Sequence, residues 1–206
     1  MSSAFSPDQS GTAALRDLVE MAGAMIVSRQ NVSPKRLHEP GPTPAQVELM
    51  LNAAASAPDH GIITPWRFVI VPPEKRGLLG DAFAAALTDR DPAATAEQIA
   101  SASEKAHRAP FLMLAIARLG PDEADVPDLE RMLSLGCAVQ NILLMAHAMG
   151  FGAGLTSGQA MRSPRLRTLF NLAGGEQPVC CINVGTVEKS KPARVRPAPA
   201  TFTTTL

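Results

Sequence analysis

At 206 residues the chain is long enough for one domain with its own core and too short for two full ones, given about 100–200 residues per domain. Its 19 basic and 19 acidic side chains cancel, and with no tyrosine and one tryptophan it has neither the field nor the stacking surfaces of a nucleic-acid binder. No apolar run reaches the roughly 18 residues of a membrane span, and Met1–Thr12 lacks the basic start and apolar middle of a signal peptide, so a cytoplasmic protein without membrane or nucleic-acid partners is expected.

Residues 1–12 are small, polar and interrupted by Pro7 and Gly11, which predicts a flexible tail ahead of a single domain over 13–206. Leu15, Leu18, Val19, Ala22, Met25 and Ile26 recur at helical spacing and predict an amphipathic helix from about Thr12 to Val27. The chain then runs through Ser28-Arg29-Gln30-Asn31 to Pro34, which stops any helix. Arg29, the Asn31 amide and nearby backbone N–H groups can supply the cation and neutral donors that a phosphate requires. A solvated helix end, where the dipole favours an arginine, accounts for Arg29 equally simply.

Thr43, Pro44 and Gln46 form a capping-box signature for a helix over 44–56, with Val47, Met50, Leu51 and Ala54 on one face. That helix must stop at Ala57-Pro58-Asp59-His60-Gly61, and Pro65 imposes an extended approach to a strand over 67–71. A rigid polar loop between a helix and a strand can aim backbone N–H groups and a side chain at a fixed point. Helices are predicted over 74–87 and 95–106, and the continuous apolar run over 111–117 reads as a strand buried on both faces.

The longest helical pattern runs from about Val126 to Met149 and is apolar nearly all round, so burial on several sides is expected. Gly136, Cys137, Ala138 and Ala146 are small enough to admit a second helix, including the same helix of a second copy, and His147 reads as a core histidine. Gly150–Gly158 closes the helix and leads into a strand, the reverse of the order a dinucleotide-binding glycine turn requires. A short helix after Ser163, a turn at Gly174-Gly175 and a strand over 178–187 follow. Cys137, Cys180 and Cys181 have no metal spacing and read as small core residues, adjacent strand residues pointing to opposite faces. The last stretch, with Arg194 and Arg196 among its prolines, is extended and has no core of its own; a solvated basic tail is one reading and an arm wrapped over a neighbour the other.

Three segments, Arg29-Gln30-Asn31, the loop from Ala57 to Trp66, and Gly150-Phe151-Gly152 through Leu155-Thr156-Ser157, follow the order seen in the FMN-dependent nitroreductases. The chain resembles that family, and the Asp59-His60 form of the loop resembles its short single-domain bacterial branch. Gln30 and Asn31 stand where the family carries a second arginine and a serine, and Thr186-Val187 stands in place of its x-Pro after the last strand. The resemblance implies an α+β fold with a mostly antiparallel central sheet flanked by helices, in a domain-swapped homodimer with two shared FMN sites and a C-terminal arm (188–206) crossing to the partner. It implies cofactor contacts from Arg29, Gln30, Asn31, Pro58, His60, Thr64, Leu155, Thr156, Ser157, Arg194 and Arg196.

By the same resemblance NADH or NADPH is the reductant and a small electron-poor molecule, a nitroaromatic or quinone, the acceptor. The flavin supplies the chemistry, so neither an acid–base pair nor a metal is assigned. His60 is expected to tie one ring nitrogen to Asp59 or backbone and to offer the other to the ribityl chain or to the pyrimidine end of the flavin. A flavin-consuming or dehalogenating enzyme on the same fold, or a non-enzymatic helical interaction protein, are the alternatives.

Overall fold

The computed structural model describes residues 9–120, 125–189, 192 and 195–206, with side chains described from residue 14 onward. In chain order the elements are α1 (Gln9–Ser28), α2 (Pro44–Ala55), β1 (Trp66–Ile70), α3 (Arg76–Arg90), α4 (Ala96–Glu104), β2 (Phe111–Arg118), α5 (Asp128–Ala148), β3 (Gly152–Thr156), α6 (Pro164–Leu169) and β4 (Glu176–Gly185). The strands form one sheet in the order β1-β2-β4-β3, every pair antiparallel, as the α+β expectation requires. Residues 9–12, expected in the tail, are instead helical: Gly11 lies in the opening turn of α1. Residues 1–8 lie outside the described residues.

The continuous apolar run is the middle of the sheet. Met113, Ala115 and Ala117 of β2 face one core cluster with Met50 and Ala54 of α2 and Leu135, Ala138, Ile142 and Ala146 of α5. Leu112, Leu114 and Ile116 face the other with Leu79 and Phe83 of α3 and Leu166 of α6. The alternation of side chains along a strand divides the two clusters. Cys180 and Cys181 fall on opposite sides of the sheet, one in each cluster, and all three cysteines are free thiols. Burial pushes the Cys180 thiol up to about 11 and that of Cys181 to about 12.

Local chemistry fixes the helix starts. Thr43 Oγ1 accepts the Gln46 N–H at 3.3 Å while Gln46 Oε1 accepts the Thr43 N–H at 2.9 Å, so the capping box is complete. Far from these caps, Arg67 of β1 donates from Nε and Nη2 to the two carboxylate oxygens of Glu176 on β4, at 2.7 and 2.8 Å. The pair spans the sheet beside β2, and these hydrogen bonds hold the Glu176 carboxyl down to about 2, against the opposing effect of burial.

Among the described residues, α1 and the first turns of α5 leave apolar side chains uncovered. α1 projects from the body with Leu15, Leu18, Val19, Met21, Ile26 and Val27 all exposed, and on α5 Leu129 and Leu133 are 82% and 68% exposed. Within a single chain α5 is buried against α2 and against the sheet, through Leu135, Ala138, Ile142, Ala146 and their neighbours, while its Leu129 and Leu133 side stays open.

Candidate functional site

Where α1 ends, the chain runs beside β3. Asn31 pairs with Ala153 in a parallel bridge, the Val32 N–H donates to the Ala153 carbonyl at 2.9 Å, and Asn31 Oδ1 accepts the Leu155 N–H at 3.2 Å. This close approach depends on Gly154, because a Cβ there would lie 2.0 Å from the Val32 carbonyl oxygen. The first and third motif segments are thus one structural unit, joined by the Asn31 side chain.

Around that unit lies a cavity of about 220 Å³, lined among others by Arg29, Gln30, Asn31, Arg36, His147 and Lys189 and by no described carboxylate. The Arg29 Nε is shielded from solvent and has no hydrogen-bond partner among the described residues. Burial lowers the pKa of Arg29, and the charge of Arg196 lowers it further. Arg196 itself reaches this corner, donating from Nη2 to the Arg29 carbonyl at 3.4 Å, and the Arg36 guanidinium donates to the Lys189 carbonyl. Ser28 Oγ lies 2.7 Å from His147 Nε2, so the expected core histidine lines this cavity as well. A cluster of cations that repel one another, one with an unsatisfied donor, suits a multiply charged anion with several acceptor oxygens.

Thr156 and Ser157 use their hydroxyls internally: Thr156 Oγ1 accepts from Asn183 Nδ2 at 3.1 Å, and Ser157 Oγ donates to the Val179 carbonyl at 2.8 Å. Beside them opens a larger cleft of about 770 Å³, whose far wall carries Gln98, Ser101, Lys105 and Arg108 from α4 and the turn after it. Sequence reasoning did not select Lys105 or Arg108, since two cations at a helix end are ordinary by composition. Their signal is spatial, because folding sets them on the same cleft as Thr156 and Ser157 at the end of β3.

The His60 loop is tightly held. Asp59 is occupied by the loop backbone, its carboxylate accepting the Ile63 N–H at 3.2 Å and the Thr64 N–H at 2.7 Å. Gly61, Ile62 and Thr64 take φ values of 74°, 55° and 44°, and for the two β-branched residues that conformation costs about 1–3 kcal/mol each. His60 departs from expectation: its Nδ1 is 2.8 Å from Glu130 Oε2 on the first turn of α5 instead of being tied to Asp59 or backbone. Pro58, His60 and Thr64 are all exposed.

Within one chain the structure brings Arg29, Gln30, Asn31, Leu155 and Arg196 together, sets Thr156 and Ser157 on the neighbouring cleft, and leaves Pro58, His60 and Thr64 apart from them. The long helix measures that separation. His60 is held at Glu130, whereas Ser28, next to Arg29, is held at His147, seventeen residues further along α5, or about 25 Å of helical rise. Arg194 lies outside the described residues.

The sequence profile of the Nitroreductase family matches residues 29–186, a span containing all three motif segments. A Haemophilus influenzae protein named "Putative NAD(P)H nitroreductase" is 34% identical over 169 residues, which is 82% of this chain and 91% of that protein. Among solved structures, a nitroreductase-like family protein from Bacillus cereus superposes with a TM-score of 0.78 at 20% identity, over 89% of this chain and 95% of that one. Iodotyrosine deiodinase, solved with FMN and 3-iodo-L-tyrosine, superposes with a TM-score of 0.63 at 20% identity, over 85% of this chain and 95% of that one. With the profile covering most of the chain and a relative above 30% identity along nearly its whole length, the chain belongs to the nitroreductase family.

Proposed function

We propose that the chain is an FMN-dependent NAD(P)H oxidoreductase that works as a homodimer in the cytoplasm and reduces small electron-poor acceptors such as nitroaromatics or quinones in two alternating half-reactions. The observation that carries this reading is the cavity at Arg29, whose charged lining residues among the described ones are all basic and where Arg29 Nε is buried with no described partner. An FMN phosphate fits that donor set, with Arg29, Arg36, Lys189 and Arg196 around it. The family membership and the NAD(P)H in the relative's name support the reductant.

FMN held there would supply the hydride and electron-transfer chemistry between nicotinamide and acceptor. The chain's part is to bind, orient and exclude water. The basic cavity would hold the phosphate end, the Leu155–Ser157 segment next to it would lie against the rest of the cofactor, and the cleft that Lys105 and Arg108 line offers space for a second molecule.

The dimer part of the proposal rests on two observations. α1 exposes apolar side chains along its length, a surface that a second copy would cover. Within one chain the contacts that hold the His60 loop and the Arg29 end of α1 on α5 are about 25 Å of helical rise apart, which supports a site that takes Arg29 from one copy and His60 from the other. Purified protein that is yellow, sediments as a dimer and is bleached anaerobically by NADH or NADPH meets the proposal; a colourless protein that ignores added FMN defeats it.

The fold likeness to a deiodinase raises a second reading, a dehalogenating enzyme. Oxidation of the bleached protein by 3-iodo-L-tyrosine but not by a nitroaromatic or quinone favours that one.

A further inference from the structure

The loop from Asp59 to Thr64 holds strained conformations at Ile62 and Thr64, and three contacts restrain it: Asp59 on the N–H groups of Ile63 and Thr64, Arg118 Nη1 on the Thr64 carbonyl at 3.3 Å, and Glu130 on His60. The first two shape the backbone. The third acts only on an imidazole, across 70 residues of sequence, at 2.8 Å. Both side chains are substantially exposed, the His60 ring at 67% and Glu130 at 49%, so the contact does not bury the ring. Among the described residues, the charged groups bonded to the loop apart from Glu130 are Asp59 and Arg118, and both are engaged by its backbone.

We propose that Glu130 is the positioning residue for His60, fixing its proton on Nδ1 so that Nε2, across the ring, presents a lone pair to the cofactor. An ionised carboxylate is an acceptor only, so a neutral imidazole meeting it must place its N–H on the contacting nitrogen. The remaining nitrogen is then an acceptor. It suits a ribityl hydroxyl, which can donate, and it opposes the N1 and C2 carbonyl side of the ring, where reduction accumulates negative charge and a donor is needed. The pair therefore selects the cofactor-holding role of His60 over the charge-stabilising one. This inference rests on the FMN reading above.

Two measurements test it. On the protein without FMN, at a pH where imidazole is neutral, the nitrogen chemical shifts of His60 are expected to report the Nδ1–H form in the parent and a mixture of both tautomers in Glu130→Ala. For FMN binding followed by fluorescence quenching, Glu130→Ala is expected to weaken affinity about tenfold, while Glu130→Gln, whose amide oxygen still accepts from Nδ1, stays within about threefold of the parent. His60→Ala combined with Glu130→Ala should be no weaker than His60→Ala alone. An Nε2–H tautomer in the parent, equal FMN affinity in parent and Glu130→Ala, or additive losses in the double variant would each overturn the proposal. A parent that binds no FMN overturns the flavin reading itself, and the tautomer measurement on the FMN-free protein keeps the two failures apart.

Discussion

Arg29 shows how much one side chain can be asked to do when it is held half-buried beside another cation. Its Nε has no partner among the described residues and Arg196 opposes its charge, so in the absence of an anion it is a liability to the fold. Arg29→Ala is expected to weaken FMN binding by about 1.5–3 kcal/mol, roughly ten- to hundredfold, without destabilising the FMN-free protein, as read by a binding titration and by thermal melting. Glu176 gives the opposite case. Its folded value of about 2 lies below its unfolded value near 4.5, so the stability it contributes is complete above about pH 4.5 and is lost as the pH falls towards 2. Arg67→Ala leaves that carboxylate without its bidentate partner and should cost about 2–3 kcal/mol at neutral pH, with the variant's urea midpoint falling less steeply into acid than the parent's. That Arg29 and Asn31 would lie together was legible in the sequence because a motif's spacing is local, and both line the one cavity. Glu130, Lys105 and Arg108 were not, because each meets the site only after distant segments have been folded against one another.

At the scale of elements, periodicity revealed which residues are apolar and left open which chain covers them. The run over 111–117 was read correctly as doubly buried because both alternating faces are apolar, and the Thr43–Gln46 box marked its helix because the capping chemistry is contained in four residues. For α1 the same reasoning gave the amphipathic stripe, yet that stripe is exposed in the chain as folded. A charge placed there, Leu18→Glu, is therefore expected to leave the single chain folded while shifting it to a monomer in sedimentation, with loss of bound FMN. Gly154 makes a second test. Because a Cβ would meet the Val32 carbonyl at 2.0 Å, Gly154→Ala has to part β3 from the Asn31 segment. That should cost on the order of 2–3 kcal/mol and reduce FMN affinity together with the melting temperature, whereas Arg29→Ala changes the affinity alone.

The molecule as a whole is organised about α5. One end of this helix carries the His147 contact beside the basic cavity, and the other carries Glu130 and the His60 loop. The core between them is conventional, with two apolar clusters divided by a four-stranded sheet, and it supplies the rigidity that keeps the two ends at a fixed distance. The buried thiols follow from the same core: with Cys180 and Cys181 pushed to about 11 and about 12, native protein is expected to react with a thiol reagent at Cys137 alone, and unfolded protein at all three positions.

Arg29 and His60 sit at opposite ends of one helix, and this gives the site a genetics of its own. If each flavin takes its phosphate anchor from one chain and its histidine from the other, the two lesions Arg29→Ala and His60→Ala are complementary. In a mixed dimer one site inherits both defects and the second inherits neither. Unfolding and refolding the two variants together should then return about a quarter of the parent's full-affinity FMN sites, the yield of random pairing, from two variants that have none. Two such sequences expressed in one cell would rescue each other by the same rule.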